Sequence, residues 1–208
     1  MPADADDGSP PGAPTERELP TFAGADLDPG QRELYDAIAA GPRSRGRQKF
    51  DLVAADGRLA GPFNAFLLRP EVGTHLERLG AAIRFGASLP DRWREIAILS
   101  VAAHWGCAFE QHAHESIGRS IGLTEAELLA IRAWAPESDA AFSDPADRLV
   151  IRIVRSLLTR GDVEDADFTA IADRVGTVGI FELTTLVGYY TTLAFQLEVF
   201  RVAPDVGH

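Results

Sequence analysis

Apolar residues recur at helical spacing over most of the chain. They lie three or four positions apart between residues 70 and 85, and they line one face of a helix between residues 144 and 161. No sustained alternation at period two, the pattern of a half-buried strand, interrupts this spacing. We therefore predict an all-α protein. The expected helices cover about residues 29–40, 70–85, 91–105, 107–121, 124–134, 144–161, 165–175 and 177–202.

Start and stop signals support these helix boundaries. Asp28 and Gln31 form a capping-box pattern, and Thr124 and Glu127 repeat it before the fifth predicted helix. Glycines at positions 86, 106, 122 and 161 follow helical segments, where a residue with left-handed backbone freedom ends a helix.

Two segments lack helical periodicity. Residues 1–22 are rich in Pro, Asp, Ala and Gly, so we expect a mobile tail ahead of one helical domain over residues 23–208. The Gly and Pro punctuation around Pro62, Phe63 and Asn64 predicts irregular backbone.

Composition excludes several classes of partner. The formal net charge of −11 disfavours nucleic acid and anionic lipid surfaces. A single cysteine cannot form an intrachain disulfide, and the first residues carry no secretory signal pattern, so we expect a cytoplasmic protein. The charge-free run 183–197 is shorter than the roughly 20 residues that a membrane span needs, so we interpret it as a buried helix.

Candidate chemistry centres on two neighbouring helices. Cys107, Glu110 and His114 are spaced i, i+3 and i+7, which places a thiol, a carboxylate and an imidazole along one helical stripe. Glu95 stands beside the apolar run of the preceding helix, where a carboxylate is costly unless it is paired or transfers protons. These four residues are the predicted catalytic group.

Each of these residues also has a structural interpretation. Glu110 and His114 could form a solvated pair on a helix surface, and Cys107 could be an inert buried thiol. Glu95 could pair with Arg92 or Arg94 on a partly exposed turn. The functional interpretation therefore depends on the four residues occurring together.

Together they resemble a known family. Arg94-Glu95, eleven intervening residues, and then Cys107-Ala108-Phe109-Glu110-Gln111-His112-Ala113-His114 resemble the carboxymuconolactone decarboxylase and alkylhydroperoxidase D superfamily, over roughly residues 28–203. The peroxidase branch has a glutamate followed by Cys-x-x-Cys-x-x-x-His, and here Glu110 occupies the second cysteine position. The decarboxylase branch carries Glu-x-x-x-His, which Glu110 and His114 reproduce.

The resemblance implies a helical bundle of the alkylhydroperoxidase D type and a homo-oligomer, either a trimer or a hexamer. It also implies a small-molecule carboxylated substrate, a lactone or a related enolisable acid, and suggests that Pro62, Phe63 and Asn64 belong to a loop over the pocket. His104 is a secondary binding candidate because it ends the preceding helix. Arginines 43, 45, 47 and 119 are candidates to bind the substrate carboxylate.

Three functions stay open at this point. A decarboxylase would use His114 as general acid, with Glu110 setting its tautomer and Glu95 relaying protons. A one-cysteine peroxidase would need an external thiol and a lowered pKa at Cys107. A non-catalytic oligomeric protein that binds small molecules would use the same residues only as a polar network. We expect neither a cofactor nor a metal, since Cys107, Glu110 and His114 lack the fourth ligand of a closed zinc site.

Overall fold

The computed structural model describes residues 17, 19–20, 22–41 and 52–204. Within these ranges the protein has eight α-helices and no β-strand, and its extended pairing is an isolated bridge between Val53 and Leu59. The all-α prediction is confirmed. The helices are α1 (Pro29–Ala40), α2 (Pro62–Phe66), α3 (Pro70–Phe85), α4 (Asp91–Trp105), α5 (Ala108–Ser120), α6 (Glu125–Ala133), α7 (Pro145–Arg160) and α8 (Asp165–Val199).

The predicted capping boxes set the starts of α1 and α6. The Asp28 carboxylate accepts from the Gln31 amide at 2.8 Å, and the Gln31 side chain accepts from the Asp28 amide at 3.0 Å. In α6, the Thr124 amide donates to the Glu127 carboxylate at 2.8 Å, and the Glu127 amide donates to the Thr124 hydroxyl at 3.3 Å. Each box satisfies helix-end amides that would otherwise lack partners.

The last two predicted helices form one element with an interruption. Gly176 lies inside α8 with φ 65° and ψ −179°, a conformation open to glycine and incompatible with a helix. The break therefore falls between the two predicted segments, 165–175 and 177–202. The second segment ends at Val199 rather than at residue 202.

The prediction of irregular backbone at Pro62, Phe63 and Asn64 was wrong, because these residues open the short helix α2. Gly61 turns the chain with φ 57° and ψ −133°, and Pro62 then supplies a φ preset for the first helical turn. Burial of Phe63 and Phe66 stabilises the turn. The Gly-Pro punctuation marked the start of a helix rather than a loop.

The mobile tail and the division at residues 22 and 23 stay predictions, because residues 1–16, 18 and 21 lie outside the described part of the chain. At its edge, the Pro20 carbonyl accepts from the Asn64 side-chain amide at 2.9 Å, and Phe22 packs against the core.

Helix α4 forms the centre of the bundle. It packs against α5, α6, α7 and α8, and every residue from 95 to 102 is buried. The prediction of a helix buried on most sides is therefore confirmed. Since Glu95 belongs to this buried run, its carboxylate must find partners inside the protein.

By length and composition alone, α8 could cross a membrane. Its inner face contributes Leu183, Leu186 and Leu197 to the core, each at most 1 % exposed, so it packs as a core helix. Its outer face exposes Phe181 and Phe195. The homo-oligomer and the cytoplasmic location stay predictions.

Replacing Gly61 by alanine is expected to destabilise the protein by about 2 kcal/mol or more. The added Cβ would lie 2.3 Å from Cζ of Phe109, at a backbone conformation that disfavours side chains. Urea denaturation measures the change. Gly57→Ala is the matched control, because φ there is +84° but the nearest atom to the new Cβ, on Ala23, is 3.7 Å away. Equal losses in both variants would contradict the predicted collision with Phe109.

Candidate active site

A helical hairpin brings the predicted catalytic residues together. Gly106 ends α4 in the left-handed conformation with φ 67°, and Cys107 precedes the first residue of α5. This two-residue connection folds α5 back along α4. Position 95 on one helix therefore faces position 114 on the other, although they are 19 residues apart.

His114 contacts a carboxylate at each ring nitrogen. Its Nδ1 lies 2.6 Å from Oε2 of Glu95, and its Nε2 lies 3.3 Å from Oε2 of Glu110. The three residues are 3–4 % exposed, so water does not screen these charges. The alternative of a solvated Glu-His pair does not describe this buried arrangement. The alternative partners of Glu95 pair elsewhere, Arg92 with Glu127 and Asp147, and Arg94 with Asp91.

Sequence reasoning missed Arg84 and Tyr190. Nη1 of Arg84 lies 3.4 Å from Nε2 of His114 and 3.4 Å from the Tyr190 hydroxyl. The Tyr190 ring meets the His114 ring edge to face, with centroids 5.3 Å apart. Arg84 follows buried Gly80 by four positions, so a helical-wheel projection of α3 places this charge beside the buried face. That projection could have identified Arg84, whereas Tyr190 resembles any other aromatic residue of an apolar helix.

The surroundings of His114 favour its protonated form. Burial alone lowers the pKa of the ring, but the charge of Glu95 and the hydrogen bonds of Glu110 and Glu95 outweigh it and raise that pKa above 6.5. Burial likewise raises the pKa of Glu95, while His114, Arg84 and Arg94 together bring it below 4.5. The charged pair is therefore the stable state of Glu95 and His114.

Both protonation states of His114 have a partner at Nε2. With Nδ1–H donating to Glu95, a protonated Nε2 donates to Glu110, and a deprotonated Nε2 accepts from Nη1 of Arg84. Losing or gaining a proton at Nε2 thus exchanges one contact for another. This arrangement suits a group that transfers protons.

The Nε2 side of His114 faces a small pocket with about 380 Å³ of empty space, part of it open to solvent. Predicted residues Pro62 and Phe63 belong to its wall, but Asn64 does not, since its amide holds Pro20 instead. The wall consists of Pro62, Phe63, Arg84, Phe109, Glu110, Ala113, His114, Tyr189, Tyr190 and Leu193. Its lining of apolar rings with a few charged and hydroxyl groups suits a small molecule with an apolar body.

The other histidine candidate lies outside this pocket. His104 packs edge to face on Trp105 and Trp134, with ring centroids 4.6 and 5.3 Å away, and burial lowers its pKa below 6.5. His112 is exposed on α5, which agrees with the expected surface or packing role.

Arg119, one of the predicted carboxylate-binding arginines, is not part of the pocket wall either. Arg119 pairs with Glu115 and Glu125 on the surface, so its charge is already compensated. Residues 43, 45 and 47 lie outside the described part of the chain.

Cys107 is separated from the acid/base group. Its side chain is 0 % exposed and packs with Phe109, Ala113, Ala194 and Leu197 rather than lining the pocket. Burial raises the pKa of the thiol to about 12, and the charges of Glu110 and Glu198 add to this effect, which nearby backbone amides only partly offset. Such a thiol is neutral at physiological pH and a poor nucleophile.

In the described ranges no group of three or more His, Cys, Asp or Glu side chains is arranged to hold a metal ion. Within the pocket, Arg84 lies at the Nε2 side of His114, which a cation would have to approach. The positive guanidinium opposes a second cation there.

The fold and the buried Glu-His-Glu group define a class: all-helical proteins with a buried histidine between two carboxylates at a helical hairpin. Residues 70–142 match the model of the carboxymuconolactone decarboxylase family. This match confirms the resemblance to the carboxymuconolactone decarboxylase family over these residues. No curated protein sequence matches the chain.

Solved structures share the fold at low sequence identity. The alkylhydroperoxidase AhpD core, an uncharacterized peroxidase-related protein from Ralstonia eutropha JMP134, has a TM-score of 0.69 at 15 % identity, covering 94 % of this chain and 95 % of that one. An uncharacterized peroxidase-related protein from Silicibacter sp. TM1040 has a TM-score of 0.64 at 13 % identity, covering 96 % of each chain. Protein ATU0492 from Agrobacterium tumefaciens has a TM-score of 0.58 at 19 % identity, covering 69 % of this chain and 97 % of that one.

Replacing Glu95 by glutamine is expected to lower the pKa of His114, because the charge that most strongly raises that pKa is removed while burial remains. A titration of the histidine ring signals by NMR measures the shift. Glu115→Gln is the control. Glu115 is a buried glutamate like Glu95, but it lies on α5 and pairs with Arg132. An unchanged pKa in Glu95→Gln would contradict the assigned coupling.

The raised pKa of His114 also makes the stability of the folded protein depend on pH. The folded protein holds a proton that the unfolded chain releases, so this contribution is fully present below pH 6.5 and is lost as pH rises through the folded-state pKa. Urea denaturation at several pH values measures the free energy of unfolding. In Glu95→Gln this free energy should change less over that pH interval than in the wild type.

Proposed function

We propose that the protein is an enzyme that decarboxylates a small carboxylated lactone, or a related enolisable acid, by acid/base catalysis. One observation carries this proposal: Nε2 of the buried His114 faces the pocket with one partner for each of its protonation states. The match of residues 70–142 to the carboxymuconolactone decarboxylase family supports the same reaction class.

His114 is the proposed proton donor. The charge of Glu95 raises the pKa of His114 and so favours the imidazolium, and the 2.6 Å contact fixes the ring orientation. Glu95 therefore takes the orienting role that the sequence suggested for Glu110. Glu110, at Nε2, then holds the proton that is transferred.

Arg84 is the proposed electrostatic partner of the substrate. Decarboxylation moves one negative charge from the carboxylate that Arg84 binds to the dienolate, and this fixed cation at the pocket wall pairs with the single negative charge in both states. The hydroxyl of Tyr190, 3.4 Å from Nη1 of Arg84, helps to position the guanidinium.

The proposed step balances without an oxidant or a cofactor. The bond between the ring carbon and the carboxylate breaks, carbon dioxide leaves, and the electron pair forms a dienolate on the lactone. His114 then transfers its Nε2 proton to a ring carbon and becomes neutral, and Arg84 donates to the free nitrogen. A proton from solvent restores the imidazolium, so each turnover consumes one proton.

The peroxidase alternative would place the chemistry on Cys107. A peroxidatic cysteine must reach peroxide as a thiolate, whereas this thiol is fully buried in an apolar cluster with a pKa of about 12. These observations favour the acid/base reaction. A non-catalytic binding protein would share the pocket but would show no turnover that depends on His114.

Replacing His114 by asparagine is expected to slow decarboxylation by about 10²–10⁴-fold, because the proton donor is lost. Carbon dioxide release is measured from carboxymuconolactone, which has two carboxylates, and from its analogue without the acetate arm, which has one. Reduction of an organic hydroperoxide is measured separately with a thiol donor. Cys107→Ala is the matched variant and should keep lactone turnover. Full activity of His114→Asn would refute the proposal, and hydroperoxide reduction lost in Cys107→Ala would replace it with the peroxidase.

The thiol is expected to resist alkylation. With a pKa of about 12 and no exposed surface, Cys107 should react with iodoacetamide at neutral pH about a hundredfold more slowly in the folded protein than in urea. Mass spectrometry of the labelled protein measures both rates. Comparable rates would mean that the thiol is accessible and would favour the peroxidase.

A further inference from the structure

The pocket wall carries an uneven set of charges. Arg84 is the one lysine or arginine among the described residues of the wall, Glu110 is its one carboxylate, and His114 lies between them. The remaining wall is aromatic or aliphatic apart from the hydroxyls of its tyrosines, Tyr189 and Tyr190. The number and sign of charges on a ligand are therefore set by very few groups.

The guanidinium of Arg84 has N–H donors available for a ligand. Nη1 of Arg84 makes two long contacts, both at 3.4 Å, to Nε2 of His114 and to the hydroxyl of Tyr190. In the described part of the chain no carboxylate lies within 4.0 Å of it, whereas Arg92 and Arg155 each contact one at 2.9 Å or less. A partly buried guanidinium without a contacting counter-ion is a suitable partner for one anionic group.

Glu110 limits that number to one. Both Glu95 and Glu110 contact His114, whereas no described carboxylate lies within contact distance of Arg84. A ligand with one negative charge uses Arg84. A second negative charge would find no further cation on the wall and would face the buried carboxylate of Glu110.

The wall also restricts the ligand body. Phe63, Phe109 and Tyr190 supply aromatic surface, and the empty space of about 380 Å³ includes the pocket mouth. Aromatic walls favour a flat, unsaturated ring, which stacks or meets them edge to face.

We propose that the pocket selects a flat ring carrying a single carboxylate, held by Arg84, and rejects the corresponding dicarboxylate through Glu110. This selection rests on the proposed function and narrows it. The monocarboxylated lactone is then the better substrate, and carboxymuconolactone, which has two carboxylates, is the poorer one.

The test measures binding without turnover. Isothermal titration calorimetry at neutral pH compares furan-2-carboxylate, furan-2,5-dicarboxylate and the neutral furan-2-carboxamide. We expect the monocarboxylate to bind about tenfold or more tightly than either of the others. Equal or tighter binding of the dicarboxylate or of the amide, or no binding of the monocarboxylate, overturns the proposal.

Single substitutions test whether Arg84 and Glu110 are responsible for the ligand selectivity. Arg84→Met should weaken binding of the monocarboxylate about tenfold while leaving the amide unchanged, and Arg84→Lys should restore part of it. Glu110→Gln should tighten binding of the dicarboxylate alone by about tenfold. Arg78→Met is the matched control, since Arg78 is exposed on the same helix and is not part of the wall. Unchanged dicarboxylate binding in Glu110→Gln overturns the role of Glu110.

Failure of the proposed selectivity can be distinguished from failure of the proposed decarboxylation. Selective binding of furan-2-carboxylate without carbon dioxide release from either lactone would refute the enzyme and leave the selectivity. Faster turnover of carboxymuconolactone than of its analogue without the acetate arm would refute the selectivity and leave the acid/base chemistry.

Discussion

The contact between Glu95 and His114 is the constraint on which the site depends. Two ionisable groups at 2.6 Å, each below 5 % exposure, would be costly to bury separately, and neither is stable in the core without the other. Helices α4 and α5 must therefore pack in one register. The same register directs Nε2 of His114 toward α3 and α8, where Arg84 and Tyr190 complete the pocket.

Much of the fold follows from local signals in the sequence. The capping residues Asp28 and Thr124 and the break at Gly176 act within a few residues, so periodicity and turn chemistry predict them. Helix α2 was missed because its five residues are too few for a period to appear. Its stability comes from burial of Phe63 and Phe66, which depends on distant parts of the chain.

The candidate site likewise contains residues that local spacing predicts and residues that it does not. Glu95, Glu110 and His114 could be predicted because they lie on two consecutive helices with recognisable spacing. Arg84 and Tyr190 come from α3 and α8, and their approach depends on how four helices pack, which spacing along the chain does not encode. Cys107 shared the helical stripe by position. As the residue just before α5, it turns its side chain into an apolar cluster instead, and that direction could not be read from spacing.

The close approach of Gly61 to the Phe109 ring has an evolutionary consequence. The backbone at Gly61 leads directly into two pocket-wall residues, Pro62 and Phe63, and the ring that it touches forms another part of that wall. A larger residue at position 61 therefore requires a smaller one at position 109. Relatives that accept a different ligand are therefore expected to differ at both of these positions together.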